Sequence, residues 1–263
     1  MTKRAVLLVE NGVAEVRLNR PDKLNALDVG MFRELAAVAE QLAGDPQIRC
    51  IVLSGEGRSF CAGIDLEVLT SAPELQNLTQ RTHGDANLFQ IAAIAWHQMP
   101  VPVIAALHGH VLGAGFQIML GADLRIAAPD TQLSLMEMRW GLVPDLGGIA
   151  LLRGLVRDDV AREIVLTGKR ISGTEAASLG LVTRTADDPR AEALALARSI
   201  AGSSPDAVRA AKRLLNLPAA TSLRDVLIAE AREQEAMLAS DNHREALRAH
   251  LEQRQPQFRD ISS

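Results

Sequence analysis

The amino-acid sequence predicts an α/β fold, in which a core of strand–strand–helix units precedes a helical region. The apolar, β-prone runs Cys50–Ser54 and Val101–Leu107 each lead into a loop rich in Gly and Ala that opens a predicted helix. Beyond about Leu151 the strand signals fade and helical periodicity dominates. We therefore divide the chain into a core, residues 1–200, and a C-terminal helical region, residues 201–263.

The individual elements follow from local signals. A β-hairpin is predicted over residues 5–18 with its turn at Asn11-Gly12, and Asp28 is predicted to cap the first helix. Further strands are predicted at 49–54, 101–107, 123–127 and 132–135. Further helices are predicted at 85–97, 173–180, 187–201, 205–216, 222–238 and 242–254.

Composition excludes several classes of function. The chain has 263 residues, a formal net charge of −4, no Tyr and only 3% aromatic residues, which disfavours binding of nucleic acid. Its two cysteines, Cys50 and Cys61, are not spaced as metal ligands or as a disulfide framework. No run reaches the ~18 apolar residues of a membrane span. We expect a soluble cytoplasmic protein without a metal.

The two Gly/Ala-rich loops are the strongest functional signal. They are Phe60–Leu66 and His108–Gly115, and each precedes a predicted helix, where backbone N–H groups lack intrahelical partners. Two such loops face to face could hold a developing oxyanion between two donors. A dinucleotide-binding motif fails because Ile118 stands where the third Gly of GxGxxG is required, and no GxSxG motif is present.

These loops and several other segments resemble those of the enoyl-CoA hydratase/isomerase (crotonase) superfamily over nearly the whole chain. The matching segments are Asn19–Leu27, Gly57–Leu66, His108–Gly115, Gly141–Gly148, Thr167–Val182 and Leu251–Phe258. The resemblance implies a crotonase-like spiral of β-β-α turns with a C-terminal helical oligomerisation region. It also implies a homotrimer or a dimer of trimers.

The resemblance implies an acyl-CoA thioester substrate whose carbonyl oxygen lies between two backbone N–H groups. By position in the motifs, these donors are Ile64 and Ala114. The superfamily usually has Gly at the second position, but only the N–H group is needed. The residues implied to bind the CoA thioester are Lys23, Leu24, Ala26, Ala62, Ile64, Asp65, Leu66 and Ala114. No cofactor is expected beyond the CoA of the substrate.

Two C-terminal positions depart from the pattern of the superfamily. His250 replaces an aromatic residue, and Gln253 replaces a Lys. These differences concern contacts with the phosphate or adenine of CoA and not the fold.

Three positions carry the candidate proton-transfer chemistry. Hydratases of the superfamily have one glutamate at the position of Glu137 and a second at that of Gln117, where a neutral amide cannot act as acid or base. Asp145 occupies a position at which dienoyl-CoA isomerases carry a catalytic aspartate. Two carboxylates across an apolar pocket could move a proton between carbons if their pKa values differ.

We predict an enzyme that stabilises a thioester enolate and shifts a double bond, with Glu137 and Asp145 as its proton-transfer groups. One alternative is hydration of a 2-enoyl-CoA, with Glu137 acting on a water aligned by Gln117. Another is a non-catalytic member that binds acyl-CoA or RNA.

Simpler interpretations exist for several of these residues. Without the resemblance, Asp145 is typical of an N-cap for a helix predicted at 147–153. Glu137 alone is typical of a solvated strand end. Cys61 is predicted to be a packed residue rather than a nucleophile, and His108 and His110 to be structural hydrogen-bonding groups.

Overall fold

The structure of the protein is a computed structural model, which describes residues 3–261. The strands are β1 (Ala5–Glu10), β2 (Val13–Leu18), β3 (Cys50–Gly55), β4 (Val103–Leu107), β5 (His110–Leu112), β6 (Leu124–Ala127), β7 (Gln132–Ser134), β8 (Ile171–Ser172) and β9 (Arg184–Thr185). The helices of the core are α1 (Val29–Ala43), α2 (Leu66–Ser71), α3 (Leu88–Gln98), α4 (Ala114–Leu120), α5 (Gly148–Leu152), α6 (Asp158–Thr167), α7 (Gly173–Ser178) and α8 (Pro189–Ala201). The C-terminal helices are α9 (Pro205–Leu215), α10 (Leu223–Ala239) and α11 (Asp241–Leu251).

Two sheets form the core. The larger has the strand order β1-β2-β3-β4-β6-β9 and is parallel except for the β1–β2 hairpin. The smaller has the order β5-β7-β8, with β5 and β7 parallel. The chain passes from the large sheet to the small one and then into a helix, as in β4-β5-α4. The predicted spiral of β-β-α turns is therefore confirmed.

Most predicted elements are confirmed with small changes at their ends. Asn11 and Gly12 both have positive φ, as a two-residue hairpin turn requires. The Asp28 side chain accepts the N–H of Met31 and caps α1 as predicted. The helix predicted at 85–97 begins later, at Leu88, because Asn87 caps it in a capping box.

The loop predicted at His108–Gly115 is partly a strand. Its residues His110–Leu112 form β5, which pairs with β7 over its whole length. Three residues are too few for a periodic signal, so the strand could be recognised only with its partner in place. The helix α6 was also not predicted.

The C-terminal helices are tied to the core by buried polar contacts. The Lys212 ammonium, on α9, lies 2.6 Å from Asp123 and also donates to the carbonyl oxygen of Val101. Lys212 is only 5% exposed, so these contacts replace its hydration. Among the described residues, no helix has the length and apolar character needed to cross a membrane.

Candidate active site

Parallel pairing of β5 and β7 brings the two most important segments of the site together. Leu112 pairs with Ser134 at the carboxyl ends of the strands. The helix α4 begins at Ala114, two residues after Leu112. Glu137 lies three residues after Ser134. The N–H of Gly113 donates to the carbonyl oxygen of Ser134 at 2.9 Å and fixes this junction.

The backbone N–H of Ile64 is directed away from its neighbouring segment. The N–H of Leu27 donates to the carbonyl oxygen of Gly63, and the carbonyl oxygen of Leu27 accepts the N–H of Asp65. Leu27 therefore bonds to the residues on either side of Ile64, its partner in a parallel bridge. In a parallel bridge of this kind the N–H of the central residue points to the opposite side. Ile64 donates no hydrogen bond within the described part of the chain.

The N–H of Ala114 is the second free donor, and it lies beside the first. Ala114 is the first residue of α4, so its N–H has no intrahelical acceptor, and no other acceptor is present among residues 3–261. A β-carbon built on Gly63 would lie 3.9 Å from this nitrogen. Cys61 pairs with Val111. Ile64 lies three residues after Cys61, and Ala114 lies three residues after Val111. The expected face-to-face arrangement of the two loops is therefore present.

Glu137 lies directly against the second donor loop. Its Oε1 would be 3.6 Å from a β-carbon on Gly113, whose φ of +49° suits glycine. Its Oε2 is buried and has no hydrogen-bond partner in the described residues. Burial raises the pKa of Glu137 above its ordinary value, and the negative charge of Asp145 raises that pKa further.

Asp145 lies on the loop that precedes α5, close enough for its charge to act on Glu137. It is accessible to solvent, yet the protein around it excludes enough water to raise its pKa. The interpretation of Asp145 as a helix cap is wrong. The N-cap of α5 is Gly147, in a left-handed conformation, and no side chain of the α5 segment caps that helix.

Gln117 connects the two acids. It is completely buried, and its Nε2 donates to Glu137 Oε1 at 2.7 Å. Its Oε1 accepts the N–H groups of Leu146 at 2.8 Å and Gly148 at 3.1 Å. In the hydratase alternative, the sequence analysis has Gln117 align a water, but it gave no indication of these contacts. Glu137 is 20 residues from Gln117 in the sequence, and Leu146 and Gly148 are 29 and 31 residues from it. A local sequence pattern could not indicate contacts over such separations.

The segments predicted to bind CoA are also adjacent. The N–H of Ala62 donates to the carbonyl oxygen of Leu24 at 2.9 Å, which joins the loop around residues 23–26 to the first donor loop. Lys23 and Leu66 are exposed at its surface. The loop therefore offers exposed side chains next to Ile64.

Arg20 organises this loop, and sequence reasoning had given it no role. Its guanidinium donates to the carbonyl oxygen of Ala26 at 2.6 Å and to the Asp65 carboxylate at 3.0 Å. Asp65 also caps α2, so its carboxylate already has structural partners. The Arg20–Asp65 pair spans 45 positions, and charge alone could not single it out.

The residues with simpler interpretations have structural contacts. The buried thiol of Cys61 donates to the carbonyl oxygen of Asn25, and burial raises its pKa to about 12, which disfavours the thiolate. His110 hydrogen-bonds Ser59, and His108 hydrogen-bonds the carbonyl oxygen of Gly57.

Comparison with known proteins identifies related sequences and structures. The sequence profile of the enoyl-CoA hydratase/isomerase family matches residues 9–261. YngF of Bacillus subtilis, named as an enoyl-CoA hydratase/isomerase, is 35% identical over 95% of each chain. A peroxisomal Delta(3,5)-Delta(2,4)-dienoyl-CoA isomerase of Arabidopsis thaliana is 34% identical over 95% of this chain and 93% of that protein. The crystal structure of an enoyl-CoA hydratase from Bacillus anthracis superposes with a TM-score of 0.89 at 30% identity, covering 97% of this chain and 98% of that one.

The fold and the paired backbone donors define a protein of the crotonase superfamily. The chain belongs to the enoyl-CoA hydratase/isomerase family, and it is an enzyme of that hydratase/isomerase type.

Proposed function

We propose that the protein catalyses a double-bond shift in an unsaturated acyl-CoA, through a thioester enolate. The observation that carries this proposal is the pair Glu137 and Asp145. Both carboxyl groups have raised pKa values, and the charge of Asp145 acts on Glu137, which lies against the loop that carries the free N–H group of Ala114. A base and an acid on one substrate are what proton transfer between two carbons requires.

The first step is removal of a proton from C2 of a 3-enoyl thioester. Glu137, which lies beside Ala114, acts as its carboxylate and takes this proton. The C–H electron pair forms the C1–C2 double bond of a dienolate, and the carbonyl electrons move to oxygen. The N–H groups of Ile64 and Ala114 stabilise that negative charge.

The second step returns a proton to C4. The enolate oxygen re-forms the carbonyl, the C2–C3 double bond forms, and the electrons of the old C3–C4 bond take a proton from the Asp145 carboxyl group. Glu137 is then protonated and Asp145 is ionised. Because Asp145 is accessible to solvent, water can return a proton to it. After the product leaves, water that enters the substrate site accepts the proton held by Glu137 and completes the cycle. With a conjugated diene the same sequence would protonate C6.

Isomerisation is favoured over hydration by the state of Gln117. Its oxygen accepts two backbone N–H groups and its nitrogen donates to Glu137, so it has no free acceptor for a water proton. Hydration remains the second candidate, because the structural relative from Bacillus anthracis is named an enoyl-CoA hydratase.

The test is product analysis of the purified protein with 2-enoyl-, 3-enoyl- and dienoyl-CoA thioesters. We expect migration of the double bond with the second or third substrate. Glu137→Gln and Asp145→Asn should each lower the rate ~10²–10⁴-fold, because each keeps its size and loses its titratable proton. Asp130→Asn is the matched control, since Asp130 is exposed at the opposite end of β7.

Other outcomes identify the alternatives. A hydratase would add water to the 2-enoyl substrate, lose activity with Glu137→Gln, tolerate Asp145→Asn and gain water addition with Gln117→Glu. A binding protein would retain CoA thioesters without turnover. Full activity of Asp145→Asn would overturn the paired-acid mechanism.

The partners and location follow the same proposal. The CoA part of the substrate would be held by the loop of Lys23, Leu24 and Ala26 together with the segment from Ala62 to Leu66, and no further cofactor is required. We expect the enzyme to act in the cytoplasm as a homotrimer or a dimer of trimers.

A further inference from the structure

We propose that Gln117 is a positioning residue, which determines the Glu137 oxygen that exchanges protons with the substrate and couples Glu137 to the loop of Asp145. This inference rests on the proposed proton transfer by Glu137 and Asp145. The side chain of Gln117 forms hydrogen bonds with Glu137, Leu146 and Gly148.

The orientation of the Gln117 amide is determined by its partners. Backbone N–H groups can only donate, so the atom facing Leu146 and Gly148 must be the acceptor Oε1. The Nε2 group therefore faces Glu137 and donates to Glu137 Oε1 at 2.7 Å. Glu137 Oε1 must then be an acceptor, and a proton on Glu137 lies on Oε2. That oxygen is buried without a partner in the described residues, so it is the one free to act on a substrate.

The same amide also takes the place of a helix cap. The α5 segment provides no capping side chain, and Gln117 accepts the N–H of its first residue, Gly148, from the neighbouring helix α4. It also accepts the N–H of Leu146, which directly follows Asp145. One side chain thus fixes both the Glu137 carboxylate and the backbone next to Asp145, so it sets the spacing of the two acids.

The close approach of Gln117 depends on Gly148. A β-carbon built on Gly148 would lie 2.6 Å from Gln117 Oε1 and 2.7 Å from its Cγ. The φ of Gly148 is not in the left-handed region, so alanine suits its backbone, and the three atoms nearest to the added β-carbon all belong to the Gln117 side chain. Gly148→Ala is therefore a way to displace the Gln117 amide without changing Gln117 or either acid.

The test compares Gln117→Met and Gly148→Ala with the original protein in the isomerase assay. Met has a similar volume and no amide, so it removes all three hydrogen bonds. Both variants should lower kcat by roughly 10- to 100-fold, the scale of a small misplacement of reacting groups. KM should change much less, because the N–H groups of Ile64 and Ala114 stay in place.

The pH profile separates positioning from mere packing. The Gln117 amide donates to the charged form of Glu137 and so lowers its pKa, against burial and against Asp145. Asp145 is the ionisable group of the described residues that raises the pKa of Glu137, and α4 carries no charged side chain. Loss of the amide should therefore move the acidic limb of the kcat profile to higher pH in both variants.

Matched variants make the result decisive. Gly44→Ala is the control, because a β-carbon there meets nothing closer than 3.8 Å. The double variant Gln117→Ala/Gly148→Ala should be no slower than Gln117→Ala, since Gln117→Ala removes the Cγ, Cδ and Oε1 atoms that a β-carbon on Gly148 would meet.

Two outcomes would overturn the inference, and the first does not depend on the folding of any variant at Gln117. One is a Gly148→Ala variant whose pH profile and kcat equal those of the original protein. The other is a fully additive loss in the double variant. Glu137→Gln distinguishes these from failure of the proposed function: if Glu137→Gln stays active, the proton-transfer proposal is wrong, and if it is inactive, only the role of Gln117 is rejected.

Discussion

Glu137 combines burial, an unpartnered oxygen and a neighbouring acid, and each of these disfavours its charged form. Asp145 is subject to the same kind of effect, because the protein around it partly desolvates its carboxyl group and raises its pKa. Groups held in this way are useful for proton transfer and costly for stability. The structural carboxylates differ: Glu15 is paired with Arg190 and Ser54, and its pKa is lowered.

A stability prediction follows for Glu137. A carboxyl group whose pKa is higher in the folded than in the unfolded chain contributes stability below its unfolded pKa, and this contribution is lost as pH rises through the folded pKa. The charged carboxylate therefore destabilises the fold at neutral pH. We expect Glu137→Gln to raise Tm at pH 7 by roughly 2–4 °C.

The pH dependence checks this prediction. The gain in Tm of Glu137→Gln should shrink as pH falls towards about 4, where the Glu137 carboxyl group becomes protonated in both the folded and the unfolded chain. Thermal unfolding followed by circular dichroism at pH 4, 5.5 and 7 measures it, with Asp130→Asn as the control. A variant less stable than the original protein at pH 7 would contradict it.

At the scale of elements, α4 combines the functions of the site. Its first residue, Ala114, offers a free N–H, and Gln117 on the following turn supports both acids. The helix is buried at every residue, so its position is set by the packing of the core rather than by the substrate. The Ala114 N–H thus has a fixed direction without a substrate, as the proposed role in stabilising an oxyanion would require.

Ala114→Pro tests the second donor. Proline is well tolerated at the first position of a helix, and Gly113 before it has no β-carbon to clash with the ring. The variant should keep its helix content and lose ~10²–10³-fold in turnover, because one N–H donor is removed. Steady-state kinetics and circular dichroism measure these effects. Ala114→Gly keeps the N–H and should stay close to the original rate; undiminished turnover in a folded Ala114→Pro protein would exclude Ala114 as a donor.

The sequence predicts those parts of the fold that have local causes. The turn at Asn11-Gly12, the cap at Asp28 and the long strands have signals within a few residues, and they are confirmed. The strand β5 and the cap of α5 depend on partners elsewhere in the chain, so they could not be predicted. The same holds for the candidate site. The sequence motifs indicated Glu137 and Ala114, but they did not indicate the hydrogen bonds of the Gln117 side chain.

At the scale of the whole molecule, the C-terminal region is held to the core by a few strong contacts. Arg49 binds the carbonyl oxygens of Ala201 and Phe258 and the Asp260 carboxylate. Asn242 donates to the carbonyl oxygen of Arg259. Deletion of residues 240–263 would break these intramolecular contacts, so an aggregated product would say little about subunit association. Point substitutions on an exposed helix face give a clearer test.

The helix α10 has the face that such a test needs. None of its 17 residues is buried in the monomer, although a helix in a protein gains most of its stability from packing of an apolar face. Leu223 is 75% exposed and Leu227 is 53% exposed, and both lie on one side of the helix because they are four positions apart. We expect a second copy of the chain to cover this face, as the resemblance to trimeric crotonases implies.

The double substitution Leu223→Glu/Leu227→Glu should therefore separate the subunits, because it would bury two unpaired carboxylates in the interface. Light scattering coupled to size-exclusion chromatography should give a multiple of three times 28.3 kDa for the original protein and 28.3 kDa for the variant, with unchanged helix content. Val9→Glu is the matched control, since Val9 is 54% exposed on the edge strand β1. The variant mass decides the matter: if it equals that of the original protein, this face is not the subunit interface, and if the original protein is itself monomeric at micromolar concentration, the expected assembly is wrong.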